Sequence, residues 1–267
     1  MHTAASAAAW LPWGGSRPQE ACAAEGDAKE ALRQDYDKFS STYDELDGGV
    51  AAGALGLERE RASMIGSASG LVLEVAVGTG LNLPMYKFRQ AGRGEVDKLV
   101  AIDLSTGMLS QARSKSASLK LHEAQIELKV MDVEKLEFPD ATFDTVVDTF
   151  SLCVFQDPVA ALREMKRVCK PGGRILLLEN SISDNGLLAA YQVQFQTLPS
   201  PLFLCGSPDV NDSIYQKATA PLVAKVGGKG CFYDQDPAAL LKAAGIKVLV
   251  DLPLVTGGVL RRIEAVV

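Results

Sequence analysis

A glycine-rich turn at residues 71–80 constrains the fold of this chain more than any other segment. Its sequence, LVLEVAVGTG, is an apolar run that ends in small residues, and the next apolar run, LVAID, ends at Asp103. Ala76, Gly78 and Gly80 allow the backbone to approach a ligand closely. An acid at the end of the second strand can accept two hydrogen bonds from a ribose diol. The pattern predicts a nucleoside-binding edge of a parallel sheet.

Strand-like and helix-like segments alternate after this turn. Such alternation predicts an α/β fold with a doubly wound, mostly parallel, seven-stranded sheet. The last two strands are joined by a link too short for a parallel crossover, so they should form a C-terminal antiparallel hairpin. The predicted strands are 71–77, 99–103, 125–131, 143–150, 174–181, 247–252 and 259–267. The predicted helices are 27 to about 46, 50–65, 105–118, 158–169, 187–197 and 237–244, with a short helix or turn at 81–90.

The domain organisation follows from length and composition. A chain of 267 residues that is 47% hydrophobic can bury one sizeable core. We predict a disordered tail or the remnant of a targeting segment at 1–26 and a single domain at 27–267 with an N-terminal helical cap. The rhythm of elements breaks at about 182–228, and an insertion of this length near the ligand edge is typical of a lid.

Charge and residue counts exclude several classes of function. A net charge of −6 and a pI near 5.1 argue against nucleic acid as a partner. The five cysteines contain no CxxC pair, so neither a zinc site nor a disulfide framework is indicated. The presence of only two histidines, His2 and His122, argues strongly against a histidine metal site or a Ser-His-Asp triad. We predict no bound metal and a reduced, intracellular setting.

The N-terminus bears on location. It is rich in alanine and lacks the basic region of a secretory signal, and it is poor in the arginines of a transit peptide. Trp10, Leu11 and Trp13 are compatible with peripheral membrane contact. No apolar run reaches the roughly 18–20 residues of a membrane-spanning helix. The expected location is the mitochondrion or plastid in a eukaryote and the cytoplasm otherwise.

The glycine turn differs from a dinucleotide fingerprint. That fingerprint is GxGxxG, whereas Leu83 stands where the third glycine would fall. Pyrophosphate also needs the amino end of a helix, and Leu83-Pro84 makes a poor helix start. These features weaken a nicotinamide-binding interpretation.

Five stretches, in order, carry a resemblance to a known family. They are DYDKFSSTYD, LEVAVGTGLNLPMY, VAIDLSTGMLSQAR, LEFPDATFDTVVDTFSLC and DPVAALREMKRVCKPGGRILLLEN. From about residue 35 to 267 the chain resembles the class I S-adenosylmethionine-dependent methyltransferases of the type 11 kind, with their Rossmann-like fold. It is most similar to the branch of mitochondrial membrane methyltransferase-like proteins and alkyl-thiol methyltransferases, and more distantly to the quinone-biosynthesis C-methyltransferases.

The resemblance implies S-adenosyl-L-methionine as cofactor and a role for each matched position. The residues that would line its methionine end are Glu74, Ala76, Gly78 and Gly80. Asp103 would hold the ribose, with Leu104 and Met108 near the adenine, which Asp132 and Val133 would read. Thr149 and Phe150 would lie beside the sulfonium, and Tyr36 and Tyr43 would cap it. Ala76 departs from the glycine that the family usually has.

Several of these residues also have a structural interpretation. Glu74 inside an apolar strand is costly unless its carboxylate is satisfied, which favours a function. Asp132 could instead cap the turn at Val133, and Tyr36 and Tyr43 could form the core face of their helix.

The resemblance implies methyl transfer to a small, lipophilic acceptor: a thiol, a phenol or quinol, or a lipid-like molecule. Displacement at a sulfonium needs alignment and dryness more than strong acid–base groups. No catalytic base is identified, although a ring-carbon acceptor would need one, and Tyr191, Tyr215 and Tyr233 are candidates in or near the insertion. The alternative is a catalytically silent scaffold protein with the same fold. The sequence does not indicate an oligomeric state.

Overall fold

The computed structural model describes residues 19–44, 56–89, 95–197, 235–254 and 257–267. Its helices are α1 (Gln19–Phe39), α2 (Leu57–Ile65), α3 (Thr106–Ser118), α4 (Pro158–Val168), α5 (Gly186–Thr197) and α6 (Pro237–Ala243). Its strands are β1 (Gly70–Val75), β2 (Val96–Asp103), β3 (Ile126–Val130), β4 (Phe143–Thr149), β5 (Cys169–Asn180), β6 (Lys247–Pro253) and β7 (Leu260–Val266). Short 3₁₀ turns lie at Leu83–Met85 and Val133–Lys135.

The strands form one seven-stranded sheet in the order β3-β2-β1-β4-β5-β7-β6. The first five strands pair in parallel, and β7 pairs antiparallel with both β5 and β6. The predicted doubly wound sheet and its C-terminal antiparallel hairpin are confirmed. The strand order reverses between β1 and β4, which is where a ligand cleft is expected in an open parallel sheet.

Apolar side chains cover both faces of the sheet. One core packs α4 and α6 against the sheet through Leu162, Met165 and Leu241. The other packs α2 and α3 against the opposite face through Met64, Ile65 and Leu109. These side chains are fully buried, so the two cores hold the carboxyl ends of the strands in fixed relative positions.

Local signals at α4 agree with the prediction. The Asp157 side chain accepts a 2.9 Å hydrogen bond from the amide of Ala160, and Pro158 occupies the first turn. A capping aspartate followed by proline is a strong helix start, because the cap satisfies an otherwise unpaired amide and proline needs none.

Some boundaries differ from the prediction. Strand β5 begins at Cys169 rather than 174, because Cys169 already pairs with Phe143 of β4. Further along, the amides of Gly172 and Val267 bond to the carbonyls of Val267 and Gly173, respectively. Helix α1 begins at Gln19, eight residues before the predicted start, so the end of the predicted disordered tail is helical. It ends at Phe39 rather than near 46, where the Ser40 hydroxyl donates to the carbonyl of Asp37.

Parts of three predictions lie outside the described residues. They are the segment 1–18 with its tryptophans, the start of the helix predicted at 50–65, and most of the insertion at 182–228. Among the described helices, none is long and apolar enough to cross a membrane.

Candidate active site

A cleft with a cavity volume of about 120 Å³ opens at the carboxyl ends of β1, β2 and β4, beneath α1. All but two of the predicted cofactor residues line it: Tyr36, Tyr43, Ala76, Gly78, Asp103, Leu104, Met108, Asp132, Val133, Thr149 and Phe150. These residues come from six separate segments of the chain. The sheet therefore brings most of the predicted positions together in one cleft.

The turn after β1 brings bare backbone to the cleft wall. Ala76 and Gly78 have φ angles of +48° and +57°. A Cβ at Gly78 would meet nothing nearer than the carbonyl of Ala76 at 4.0 Å, so the space beside this residue is open to a ligand. Gly80 differs, since a Cβ there would lie 2.7 Å from the Leu83 side chain. Gly80 is not in the cleft wall, and the structure accounts for it by close packing.

Asp103 lies at the end of β2 with both carboxylate oxygens oriented by the backbone. One oxygen accepts from the amide of Gly78 and the other from the amide of Ser105, each at 2.8 Å. Each oxygen keeps further acceptor capacity for a ligand hydroxyl. Burial raises the pKa of Asp103 to about 6, and the two backbone amides oppose that rise. This arrangement fits a ribose diol.

Asp132 is held from two sides at the far wall of the cleft. Its side chain accepts a 2.9 Å hydrogen bond from the amide of Glu134, so it caps the 3₁₀ turn. Its other oxygen accepts from Lys29 of α1 at 2.7 Å, and Lys29 also donates to Glu134 at 2.6 Å. The capping role is therefore present, and adenine recognition by Asp132 stays a prediction.

Helix α1 and the turn after it cover the cleft through two aspartates. Asp37 accepts from the Ser105 hydroxyl at 2.5 Å and from the amide of Gly107 at 2.8 Å. Asp44 accepts from the Thr79 hydroxyl and from Lys115, the latter at 2.8 Å. These contacts place Tyr36 and Tyr43, whose ring centroids are 6.3 Å apart, at the cleft.

The end of β4 forms the opposite wall. Thr149 accepts a 3.1 Å hydrogen bond from the Asn82 amide. Phe150 has a φ of +59°, a conformation that costs free energy for a bulky residue and that clusters at functional sites. The Arg61 guanidinium lies 5.1 Å from the centroid of the Phe150 ring, a cation–π distance.

Glu74 is behind the cleft rather than in its wall. It is 1% exposed, and its two oxygens accept from Asn82 and from the Tyr86 hydroxyl, each at 2.8 Å. Burial raises the pKa of Glu74 to about 7 despite these two donors. In the structure this acid orients Asn82, which in turn contacts Thr149, and direct contact with the cofactor stays a prediction.

Sequence reasoning missed part of the lining: Lys29, Leu32, Arg33, Ser105, Met131, Glu134, Ser151, Val154, Phe155 and Gln156. Four of them, Ser105, Met131, Glu134 and Ser151, are sequence neighbours of predicted residues. The helical ones could have been found by periodicity, because residues 29, 32, 33 and 36 share one face of a helix.

Other groups are distant from the cleft or outside the described chain. His122 is exposed in the turn before β3, at the opposite edge of the sheet. Tyr215 and Tyr233 lie outside the described residues, as does the side chain of Tyr191. Within the described segments, no group of three or more His, Cys, Asp or Glu could hold a metal ion.

Comparison with known proteins agrees with this geometry. A family model described as a methyltransferase domain matches residues 73–177. Phosphatidylethanolamine N-methyltransferase from Cereibacter sphaeroides is 42% identical over 134 residues, 50% of this chain and 62% of that protein. The chain thus spans less than two thirds of that relative. The ubiquinone/menaquinone biosynthesis C-methyltransferase UbiE from Pseudoalteromonas translucida is 34% identical over 66% of this chain and 70% of that protein.

Solved structures show the same fold. A SAM-dependent methyltransferase from Aquifex aeolicus has a TM-score of 0.53 at 21% identity, over 85% of this chain and 97% of that one. The fold and the cleft define a class I S-adenosylmethionine-dependent methyltransferase. This chain belongs to that family, and S-adenosylmethionine is its cofactor.

Proposed function

We propose that the protein transfers a methyl group to a small, lipophilic acceptor. The observation that carries this proposal is the apolar wall beside Phe150, where the half-buried side chains of Val154 and Phe155 line the cleft. Such a wall suits an acceptor with hydrocarbon surface. The names of the two relatives, a phosphatidylethanolamine N-methyltransferase and a quinone-biosynthesis C-methyltransferase, support an acceptor of this class.

The residues of the cleft would act mainly by alignment. The bound cofactor supplies an electrophilic methyl group on a sulfonium sulfur. Asp103 would orient the ribose, and the open backbone beside Gly78 would leave room for the amino-acid end. Holding donor and acceptor near attack distance contributes on the order of 7–11 kcal/mol in well-oriented systems. Helix α1, fixed by Asp37 and Asp44, would exclude water from the reacting atoms.

Acceptor chemistry decides whether a base is needed. An alkyl thiol reacts as its thiolate and needs little help at neutral pH. A phenol or quinol acceptor must lose a proton during the reaction, and so must a lipid amine that accepts the methyl group in its neutral form. Thr149 and Phe150, which are expected beside the sulfonium, supply no strong base. Proton removal would therefore depend on other groups that contact the acceptor.

The test is methyl transfer from radiolabelled S-adenosylmethionine to three acceptors presented separately. These are vesicles containing phosphatidylethanolamine, a demethylmenaquinol, and an alkyl thiol. We expect label in at least one organic-extractable product, identified by mass spectrometry. Asp103→Ala should reduce the transfer, whereas Asp97→Ala, on the opposite end of β2 in an exposed ion pair with Arg89, should not.

The catalytically silent scaffold is the competing outcome. It would be favoured if S-adenosylhomocysteine binds in a calorimeter while none of the three acceptor classes receives label. Lack of binding at millimolar ligand would contradict the enzymatic proposal altogether.

A further inference from the structure

Three carboxyl groups are buried together beneath the cleft. Glu74 of β1, Asp148 of β4 and Glu179 of β5 are 1%, 0% and 0% exposed. Their strands are neighbours in the sheet, and all three acids stand at the carboxyl ends that face the ligand. Buried carboxylates are costly unless each is paired or protonated.

Ser151 connects two of these acids to the cleft. Its hydroxyl donates to one oxygen of Asp148, and its amide donates to Glu179 at 3.1 Å. Ser151 itself is part of the cleft wall and directly follows Thr149 and Phe150. The Asp148–Glu179 pair therefore lies directly behind Ser151, in the part of the cleft wall where the sulfonium is expected.

The pair is built to hold a proton. The second oxygen of Asp148 is buried without a donor among the described residues, and the hydroxyl and amide of Ser151 join the two acids. A fully buried carboxyl oxygen without a donor favours the protonated form of the acid, because burial disfavours the charged form. Burial raises the pKa of Asp148 to about 7, and the nearby charge of Glu74 adds to the rise.

We propose that the Asp148–Glu179 pair makes the site selective for the charged cofactor: it releases a proton when a sulfonium cation enters the cleft and keeps it when the neutral thioether enters. The inference rests on the proposed function, because it takes the sulfonium to lie beside Thr149 and Phe150. It assigns to the pair an electrostatic role toward the cofactor, from a buried position behind Ser151 of the cleft wall.

The physical basis is the charge difference between the two ligands. S-adenosylmethionine and S-adenosylhomocysteine share the same adenosine and amino-acid groups, and only the former carries the sulfonium charge. A cation within about 4–6 Å lowers the pKa of a carboxyl group by about 1–3 units. If the titrating proton of the pair is bound in half of the molecules at pH 7, lowering its pKa by one unit releases about 0.4 proton per bound ligand.

Two other acids with raised pKa values, Asp103 and Glu74, could also release protons. Their proton release must be distinguished from that of the pair. Asp103 faces the ribose position, so it should respond equally to both ligands. Glu74 faces the pair from β1, and it is hydrogen-bonded to Asn82 and Tyr86 with the Arg61 charge nearby. Subtracting the proton release measured with S-adenosylhomocysteine from that measured with S-adenosylmethionine cancels the contribution of Asp103. A Glu74→Gln variant shows how many protons come from Glu74.

The experiment is isothermal titration calorimetry at pH 7 in three buffers of different ionisation enthalpy, with the full chain and each ligand. We expect about 0.4 more protons released with S-adenosylmethionine than with S-adenosylhomocysteine. Sinefungin, which carries an amine cation in place of the sulfonium, should behave like S-adenosylmethionine. Asp148→Asn and Glu179→Gln should abolish the excess while S-adenosylhomocysteine affinity changes less than threefold. Glu74→Gln should retain part of it, because the charge of Glu74 is only one of the causes that raise the pKa of Asp148.

A second measurement needs no variant. Because binding of the cation releases a proton, the affinity of wild-type protein for S-adenosylmethionine relative to S-adenosylhomocysteine should increase up to about tenfold between pH 6 and pH 8. A constant ratio, equal proton release with both ligands, or loss of the excess in Glu74→Gln would each overturn the inference while leaving the methyltransferase proposal intact. Failure of both ligands to bind would overturn the two together.

Discussion

The carboxylate of Asp37 on α1 accepts a 2.8 Å hydrogen bond from the amide of Gly107 in the first turn of α3. A Cβ at Gly107 would lie 3.0 Å from the Cα of Asp37, so the two backbones approach as closely as glycine allows. The same carboxylate pairs with Arg33 one turn earlier at 2.6 Å. Asp37 thus joins the covering helix to the strand-helix unit that carries Asp103.

Removing this link should loosen the cover of the cleft. Asp37→Ala deletes the acceptor for Ser105 and Gly107, and loss of an acceptor at a helix start costs about 0.5–2 kcal/mol. We expect faster amide hydrogen exchange across residues 29–44 and weaker binding of S-adenosylhomocysteine. Asp35→Ala is the matched control, because Asp35 lies in the same helix, is exposed, and pairs with Lys38 on the surface. Equal exchange in the two variants would contradict the role of Asp37.

Asp103 and Asp132 should differ in their effect on cofactor binding. Asp103→Asn removes a charged acceptor aimed at the ribose, and hydrogen bonds to charged groups contribute about 1.5–3 kcal/mol. We expect affinity for S-adenosylhomocysteine to fall about 10–100-fold by calorimetry. Asp132→Asn should cost less than tenfold, because its oxygens are already engaged by Lys29 and the amide of Glu134. A larger effect at Asp132 would reverse this ranking.

The stability of the unliganded protein should fall as pH rises from about 5 to 8. Burial raises the pKa values of Glu74 and Asp148 to about 7 and that of Asp103 to about 6. A carboxyl group with a raised folded-state pKa contributes stability that is complete below its unfolded pKa near 4 and is lost as pH rises through the folded value. Urea unfolding at pH 5, 6, 7 and 8 measures this dependence.

Glu74→Gln tests the source of that loss. The variant should remove about 2 kcal/mol of the decrease in unfolding free energy between pH 5 and pH 8, at about 1.4 kcal/mol for each unit of pKa elevation. Glu264→Gln is the control, because pairing with Arg262 and Arg174 lowers the pKa of Glu264 despite its partial burial. A wild-type stability that stays level or increases over this range would contradict the assignment.

Ala76→Gly should stabilise the fold. Ala76 has a φ of +48°, where a Cβ costs about 1–2 kcal/mol that glycine avoids. The greater freedom of glycine in the unfolded chain offsets part of this gain, which leaves about 0.5–1 kcal/mol. Ala117→Gly, at an exposed position of α3, should have the opposite sign by about 1 kcal/mol. Thermal unfolding of both variants provides the comparison, and destabilisation by Ala76→Gly would count against the strain.

Much of the fold was readable from patterns. Apolar runs that end in glycine or aspartate predicted the parallel strands, and the short final link predicted the antiparallel pairing of β6 and β7. Boundaries were less predictable: β5 begins early because Cys169 pairs with Phe143, a residue distant in sequence. Local signals in the sequence do not report such long-range pairing.

The sequence alone determined a nucleoside-binding edge, because the turn after β1 and the acid that ends β2 must meet wherever these two parallel strands are neighbours. The class of protein was implied by the resemblance of five ordered stretches to a known family. The sequence also predicted eleven of the residues that line the cleft. Only the tertiary structure decided that Glu74 lies behind that wall, bonded to Asn82 and Tyr86. Likewise, it alone joined Asp148, Ser151 and Glu179 into one buried group. The reason is physical: the state of a buried carboxyl group depends on burial and on donors from other strands, which are set by packing rather than by neighbours along the chain.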